Sequence, residues 1–357
     1  MIYVHVPFCL SFCRYCDFYS ELCGRNRTED FDAYIEDLCA EARLRHGEIL
    51  ATMSEVNTLY IGGGTPSVMP LRFFTELLRA LPEGPFEEFT VEVNPDDVVS
   101  RGPGYLRALR KFGVNRLSMG VQSLDDTVLR WMGRRHNAQT AVEAFRMIRE
   151  AGFDNVSLDI IFGIGSWRGG TSGYRSGRFT RDMLSSTLDR LLALGPEHIS
   201  AYQLSIEEGS QLAKDASDGK YVEASDDECA EQYSLICDRL RDAGYRHYEI
   251  SNWARPGREA VHNSAYWART PYVGLGPGAH SLEIDRYGRE RRSWNSDTLT
   301  GWTAEGEILT PEEIREETIM LGTRRAGGVT FAGHHYSIPE EQWFVADSLV
   351  SEMVAGR

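Results

Sequence analysis

The sequence predicts an α/β protein built on a parallel sheet, followed by a smaller α+β domain. Three observations carry that prediction. Short apolar runs alternate with longer amphipathic ones as far as Leu204, the rhythm of strands joined by crossover helices. Several amphipathic runs stop at a glycine, namely Gly113, Gly152 and Gly195, the residue most often found just past a helix end. Beyond Leu204 the rhythm breaks, which puts a boundary near residue 207 and divides the chain into 1–206 and 207–357. The pattern suits either an open doubly wound sheet or a partial (β/α) barrel.

The elements follow in order. Apolar runs predict strands at Ile2–Val6, Asn57–Ile61, Phe89–Val93, Arg116–Val121, Val156–Phe162 and His198–Leu204. Helical periodicity predicts helices over about 30–50, 70–81, 104–112, 138–151 and 180–194. In the second part, 206–225 reads as turn-rich, 226–243 as a helix that opens on Asp226-Asp227-Glu228, 251–305 as loop-rich, and 311–321 as a helix. Acidic residues in a first turn complement the helix dipole.

Composition excludes several functions. The 357 residues are 42% hydrophobic and 25% charged with a net charge of −15, a balance that argues against nucleic-acid binding, which needs clustered Lys and Arg. No apolar run is long enough to cross a bilayer, and Ile2 begins an apolar strand with no basic leader before it. Seven cysteines, an odd number, fit reduced thiols rather than a disulfide framework. A cytoplasmic protein is expected.

The polar residues that interrupt the strands share one address. Cys9, Cys13 and Cys16 follow the first strand, within "VHVPFCLSFCRYCDFYS" (4–20). Gly62-Gly63-Gly64-Thr65-Pro66 follows the second, Glu92 and Asn94 close the third, Gln122 ends the fourth, and Asp159 lies in the fifth. In parallel α/β proteins the active site forms at the carboxyl ends of the strands. Three cysteines leave a tetrahedral zinc site one ligand short unless His5 completes it. The same three can hold a [4Fe–4S] cluster with one iron open to a non-protein ligand.

Cx3Cx2C with Tyr15 before the last cysteine resembles the signature of the radical S-adenosylmethionine (SAM) superfamily. That resemblance implies a partial (β/α)6 barrel in which SAM occupies the open iron. "YVHVPFC" (3–9), "YIGGGTPS" (60–67), "VEVNP" (91–95), "NRLSMGVQS" (115–123), "GRRH" (133–136) and "EHISAYQLSIEEGS" (197–210) resemble one branch of it. That branch contains oxygen-independent coproporphyrinogen III oxidase and the HemW-type heme chaperones. "YEISNWARPG" (248–257), "HNSAYW" (262–267) and "YVGLGPGAHS" (272–281) carry the likeness into the second domain. The resemblance implies a SAM site of Tyr3, Gly63, Gly64, Thr65, Glu92, Gln122, Arg134 and Asp159, the choice of Arg134 over Arg135 resting on its spacing from Gln122. Glycine lets backbone approach a ligand closely, and Arg134 can clamp a carboxylate.

Within the branch, the oxidase pattern carries a further cysteine two residues after the third ligand. Phe18 stands there, as in the chaperones, and "HNSAYW" is a chaperone feature. The chaperone reading implies heme as cargo, respiratory hemoproteins as recipients, possible peripheral membrane contact and no coproporphyrinogen oxidase activity. His262 would ligate the heme iron, with Tyr266 and Trp267 as flat contacts. The alternatives are the oxidase itself and a degenerate module that holds a cluster alone. Cys39, Cys229 and Cys237 read as packing thiols, Cys23 as a loop thiol weighed as an extra cluster ligand, and His334-His335 as surface. Two stretches depart from the family. Residues 163–180 replace a shorter turn and read as a mobile loop beside the rim, and the tail after Val329 is too short for the family's winged-helix-like subdomain.

Overall fold

The computed structural model describes residues 1–23, 28–169 and 175–355. Six strands, β1 (Ile2–Val6), β2 (Thr58–Gly63), β3 (Glu88–Val93), β4 (Arg116–Gln122), β5 (Val156–Phe162) and β6 (His198–Gln203), lie side by side in chain order. All five pairings are parallel, from Ile2 opposite Leu59 to His198 opposite Ser157. Consecutive parallel strands need a crossover each, and the helices supply it. Leu59, Ile61, Phe89, Val91, Leu117, Met119, Leu158 and Ile160 belong to the buried apolar core. The alternate positions, Tyr60, Glu92, Ser118 and Asp159, form hydrogen bonds on the other face. A strand points successive side chains to opposite faces, so one sheet has an apolar outer face and a polar inner one.

The region after 207 does not stand apart from this sheet. Strands β7 (Arg246–Glu249) and β8 (Asn252–Ala254) extend it antiparallel beyond β6, and β9 (Val273–Leu275) adds parallel to β1, giving nine strands. The stretch read as loop-rich therefore holds sheet strands, a helix over Val261–Trp267 and most of a three-stranded antiparallel sheet. Short strands of three to six residues give too little periodicity to be seen in sequence.

Other elements differ in instructive ways. The helix expected over 30–50 is two, Thr28–Leu44 and His46–Met53. The helix expected from 104 begins at Pro95 and kinks at Gly102 (φ 73°), before Pro103, a pair that breaks the periodic signal while the chain continues helically. A further helix, absent from the periodic pattern, runs over Asp126–Met132; Asp125 caps it and Gly133 (φ 78°) ends it.

The expectation of a mobile 163–180 loop is corrected for the described part; residues 170–174 lie outside the described residues. Ser166–Trp167 pairs with Gly177–Arg178 and with Tyr221–Val222. The Trp131 ring lies between Trp167 and Tyr221, with centroids 4.9 and 5.4 Å away and planes tilted 22° and 21°. A large aromatic stack anchors the insertion. The tail after Val329 forms a hairpin, with His334 and His335 exposed as expected, then a helix over Ala346–Val354. Ile338, Trp343, Ala346 and Val350 join the core, and Trp343 packs edge-on against His247 at 4.4 Å.

Candidate functional site

The cysteine loop is braced from three sides. Phe8–Cys9 pairs in parallel with Glu21–Leu22, and the Cys23 amide donates to the Cys9 carbonyl at 2.9 Å. Arg14 donates its amide to the Met132 carbonyl at 3.1 Å, accepts from the Leu212 amide at 2.8 Å, and pairs with Asp215 at 2.6 Å. Backbone contacts to two helices thus position a loop that carries the three thiols. Cys23 is buried and turns its thiol toward the Cys9 carbonyl. Cys39 and Cys229 are buried in packing positions, as expected.

Gly63 and Gly64 serve this loop. A Cβ on Gly64 would lie 2.9 Å from the Phe8 carbonyl oxygen and 3.1 Å from the Cys9 sulfur; one on Gly63 (φ +108°) would meet the His5 ring at 2.7 Å. The space their missing side chains free is taken by the chain entering the cysteine loop. Thr65 reaches the Cys9 sulfur with its hydroxyl at 3.5 Å. Gly62 makes room in turn for the Glu92 carboxylate, 2.9 Å from where its Cβ would be.

Arg134 and Arg135 separate cleanly. Arg134 donates to the Cys13 sulfur at 3.3 Å, to Asn94 Oδ1 at 3.2 Å and to the Gly120 carbonyl at 2.7 Å. Arg135 is committed to Asp96 and Asp97 at 2.7 and 2.8 Å. Gln122, at the end of β4, holds a left-handed φ of 64° where the pairing to β5 slips by a residue, a conformation that a non-glycine residue adopts at some cost.

Inside the barrel lie Tyr3, Glu92 and Asp159. Tyr3 contacts His5 Nδ1 at 3.0 Å, and His5 Nε2 lies 2.9 Å from the Tyr19 carbonyl. Glu92 accepts from Tyr60 at 2.7 Å and from the Gly63 amide at 3.1 Å. Asp159 accepts from Ser118 at 3.0 Å and from Ser157 at 3.1 Å. Neither carboxylate forms an ion pair among the described residues. Burial pushes Glu92 up to about 7 and raises Asp159 as well. Sequence reading passes over Tyr60, Ser118 and Ser157 and weighs His5 only as a zinc ligand; the signal that finds them is that each falls in inward phase on its strand.

The site can be tested against an iron–sulfur cluster and SAM. No three His, Cys, Asp or Glu side chains among the described residues converge closely enough for a single metal ion. A cluster asks for something else, since each thiolate ligates a different iron, and one braced loop offers three thiols beside Arg134. Two half-buried carboxylates with no ion pair among the described residues suit a ligand that carries an ammonium and a sulfonium. The residues present fit both groups.

His262 is the correction. Its ring is 1% exposed, with Nδ1 at 2.8 Å from Thr58 Oγ1 and Nε2 at 3.2 Å from the Tyr266 hydroxyl. Thr58 opens β2, and Glu88, which opens β3, accepts the amides of Val261 and His262. The ring therefore lies at the amino ends of the strands, opposite the cysteine rim. Burial lowers its pKa to about 3 and keeps it neutral. Both nitrogens are occupied, so it offers no free ligand to iron.

Buried charge gives a measurable signature. Glu92 has an ordinary pKa of 4.5 and a folded one of about 7. Between those values the folded protein holds the extra proton, so the ligand-free protein should lose stability as pH rises from about 4.5 through 7. The loss attributable to Glu92 is on the order of 3 kcal/mol. Glu249, also raised by burial to about 7, adds the same trend, so the difference between wild type and Glu92→Gln isolates the first group. Parallel denaturation profiles for the two proteins across that range would contradict the uncompensated carboxylate.

A sequential parallel barrel with three thiols on the loop after its first strand defines a radical SAM core, and the radical SAM superfamily model matches residues 3–167. The solved structure of Escherichia coli coproporphyrinogen III oxidase (HemN), described as a radical SAM enzyme, superimposes with a TM-score of 0.72. It covers 99% of this chain and 81% of its own at 20% identity, a likeness of fold. The heme chaperone HemW of Synechocystis sp. is 34% identical, covering 92% of this chain and 79% of that protein. HemW of Lactococcus lactis is 33% identical over 92% and 82%, and HemW of Bacillus subtilis 31% over 92% and 84%. The chain belongs to the HemW family of radical SAM proteins.

Proposed function

We propose that this chain is a heme chaperone that carries one [4Fe–4S] cluster on Cys9, Cys13 and Cys16. SAM lies at the rim formed by Tyr3, Gly63, Gly64, Thr65, Glu92, Gln122, Arg134 and Asp159, and heme is the cargo. The cluster and SAM supply one-electron chemistry when bound; Glu92 and Asp159 offer negative charge to the cofactor, and Arg134 holds the Cys13 side of the loop. Recipients are hemoproteins of the respiratory chain, reached from the cytoplasm with at most peripheral membrane contact. No helix among the described residues is long and apolar enough to span a membrane.

The observation that carries this reading is the extent of the relatives. Proteins named heme chaperones match more than nine-tenths of the chain at 31–34% identity, whereas the oxidase likeness is one of fold. The test is a hemin titration followed by the Soret band, beside an anaerobic assay with coproporphyrinogen III. Stoichiometric heme uptake without protoporphyrinogen formation is the expected outcome. Catalytic decarboxylation would overturn the chaperone reading in favour of the oxidase.

A further inference from the structure

A relay of hydrogen bonds leads from Asp159 at the rim across β6 to β7. Ser157 donates to Asp159 Oδ1 at 3.1 Å, and its hydroxyl lies 2.8 Å from His198 Nδ1. His198 Nε2 lies 2.7 Å from the Tyr248 hydroxyl, and that oxygen accepts from the Ala260 amide at 3.3 Å. Ser157 and His198 are register partners on β5 and β6, and Tyr248 stands on β7. All three residues are buried, so each must find its partners inside the protein.

What each group can give fixes the direction of the relay. Among the described residues the Tyr248 hydroxyl meets only the Ala260 amide and His198. An amide only donates, so the hydroxyl hydrogen goes to His198 Nε2. Burial, and after it the Arg116 charge, push the His198 pKa well down and keep the ring neutral. A neutral imidazole has a single N–H, which here lies on Nδ1. Nδ1 donates to Ser157, and the serine hydrogen is left for Asp159. The opposite direction would strand the Tyr248 hydrogen in a buried place, at the cost of an unmade hydrogen bond.

We propose that Tyr248 and His198 are positioning residues for the cofactor: through Ser157 they hold the Asp159 carboxylate charged and in place at the rim. The inference rests on SAM occupying that rim. Asp159 needs the support. Burial raises its pKa against the hydroxyls of Ser200, Ser118 and Ser157 and the Arg116 charge. Glu92, Tyr60 and Tyr202 also face it, and Glu92 is a second carboxylate. Ser157 is the hydroxyl whose hydrogen a ring nitrogen aims. The relay also gives the region after 207 a part in cofactor binding, since Tyr248 lies there and Ala260 precedes the helix over Val261–Trp267.

The test is SAM affinity of the iron-loaded protein by equilibrium dialysis, for wild type, Tyr248→Phe, Asp159→Asn and the last two together. Iron content and circular dichroism verify that each variant is loaded and folded. Tyr248→Phe should weaken SAM about tenfold, the scale of one hydrogen bond to a charged group. Added to Asp159→Asn, or to Ser157→Ala, the same change should cost no more than about twofold, because the carboxylate or its link is already gone. Nitrogen NMR of ring-labelled histidine, with His198→Leu identifying the signal, should show His198 protonated at Nδ1 in wild type. Equal losses from Tyr248→Phe in every background, or a wild-type His198 protonated at Nε2, would overturn the relay and leave the rim reading standing. Iron-loaded wild type that takes up no SAM would remove both.

Discussion

Replacing Cys9, Cys13 or Cys16 by alanine is expected to take the anaerobically reconstituted protein from roughly four irons per chain to almost none, whereas Cys23→Ala keeps its iron. The difference follows from where the thiols sit. Cys9, Cys13 and Cys16 belong to the braced loop after β1, with Arg134 against Cys13 and Thr65 against Cys9. Cys23 is folded back under that loop, its sulfur toward the Cys9 carbonyl. A cluster held by three thiolates has no spare protein ligand, so losing one leaves two irons exposed rather than one. Burial raises the Cys9 and Cys16 thiols, Cys16 to about 11, so loading iron must release protons and should proceed faster as pH rises. Iron analysis and the electron paramagnetic resonance signal of the reduced protein, with and without SAM, measure the outcome. Iron retained in full by Cys13→Ala would sink the assignment.

The second large effect is structural. Trp131→Ala should destabilise the protein by about 4 kcal/mol, the range for a fully buried large aromatic. Its ring is 1% exposed and packs between Trp167 and Tyr221, so truncation opens a void shared by three elements that cannot all collapse into it. The damage should also reach the site. Trp131 lies three residues before Arg134, near the end of the helix whose Met132 carbonyl accepts from the cysteine loop. Denaturant titration should show a lower midpoint, and iron loading at equal folded fraction should fall with it. An unchanged midpoint would mean that the stack does not anchor the insertion.

The fold was largely legible because its strands are long and their pattern simple. The apolar runs at Ile2–Val6 and Val156–Phe162 are strands over those same residues. Helices with one apolar face, such as Ala138–Glu150 and Arg181–Leu194, end within a residue or two of where their glycines predict. The rim was legible too, because polar residues at the carboxyl ends of parallel strands have a common address whatever the barrel's curvature. Where reading failed, the signal was short or broken. The strands Asn252–Ala254 and Val273–Leu275 carry three residues each, and Gly102-Pro103 hid half of a helix.

The sequence by itself determined the chemistry on offer: three cysteines at Cx3Cx2C spacing, a glycine turn after the second strand, and carboxylates in apolar strands. Those are local facts, set by residue type and spacing. Tertiary structure alone decided which groups face one another. Arg134 rather than Arg135 reaches Cys13 because Arg135 is spent on Asp96 and Asp97. Gly63 and Gly64 admit the cysteine loop, since that loop passes where their side chains would be. His262 and Cys13, each conspicuous in sequence, lie at opposite ends of the barrel. Strand direction fixes that separation: the helix bearing His262 docks on the amino ends through Thr58 and Glu88, while every group that could serve the cluster emerges at the carboxyl ends.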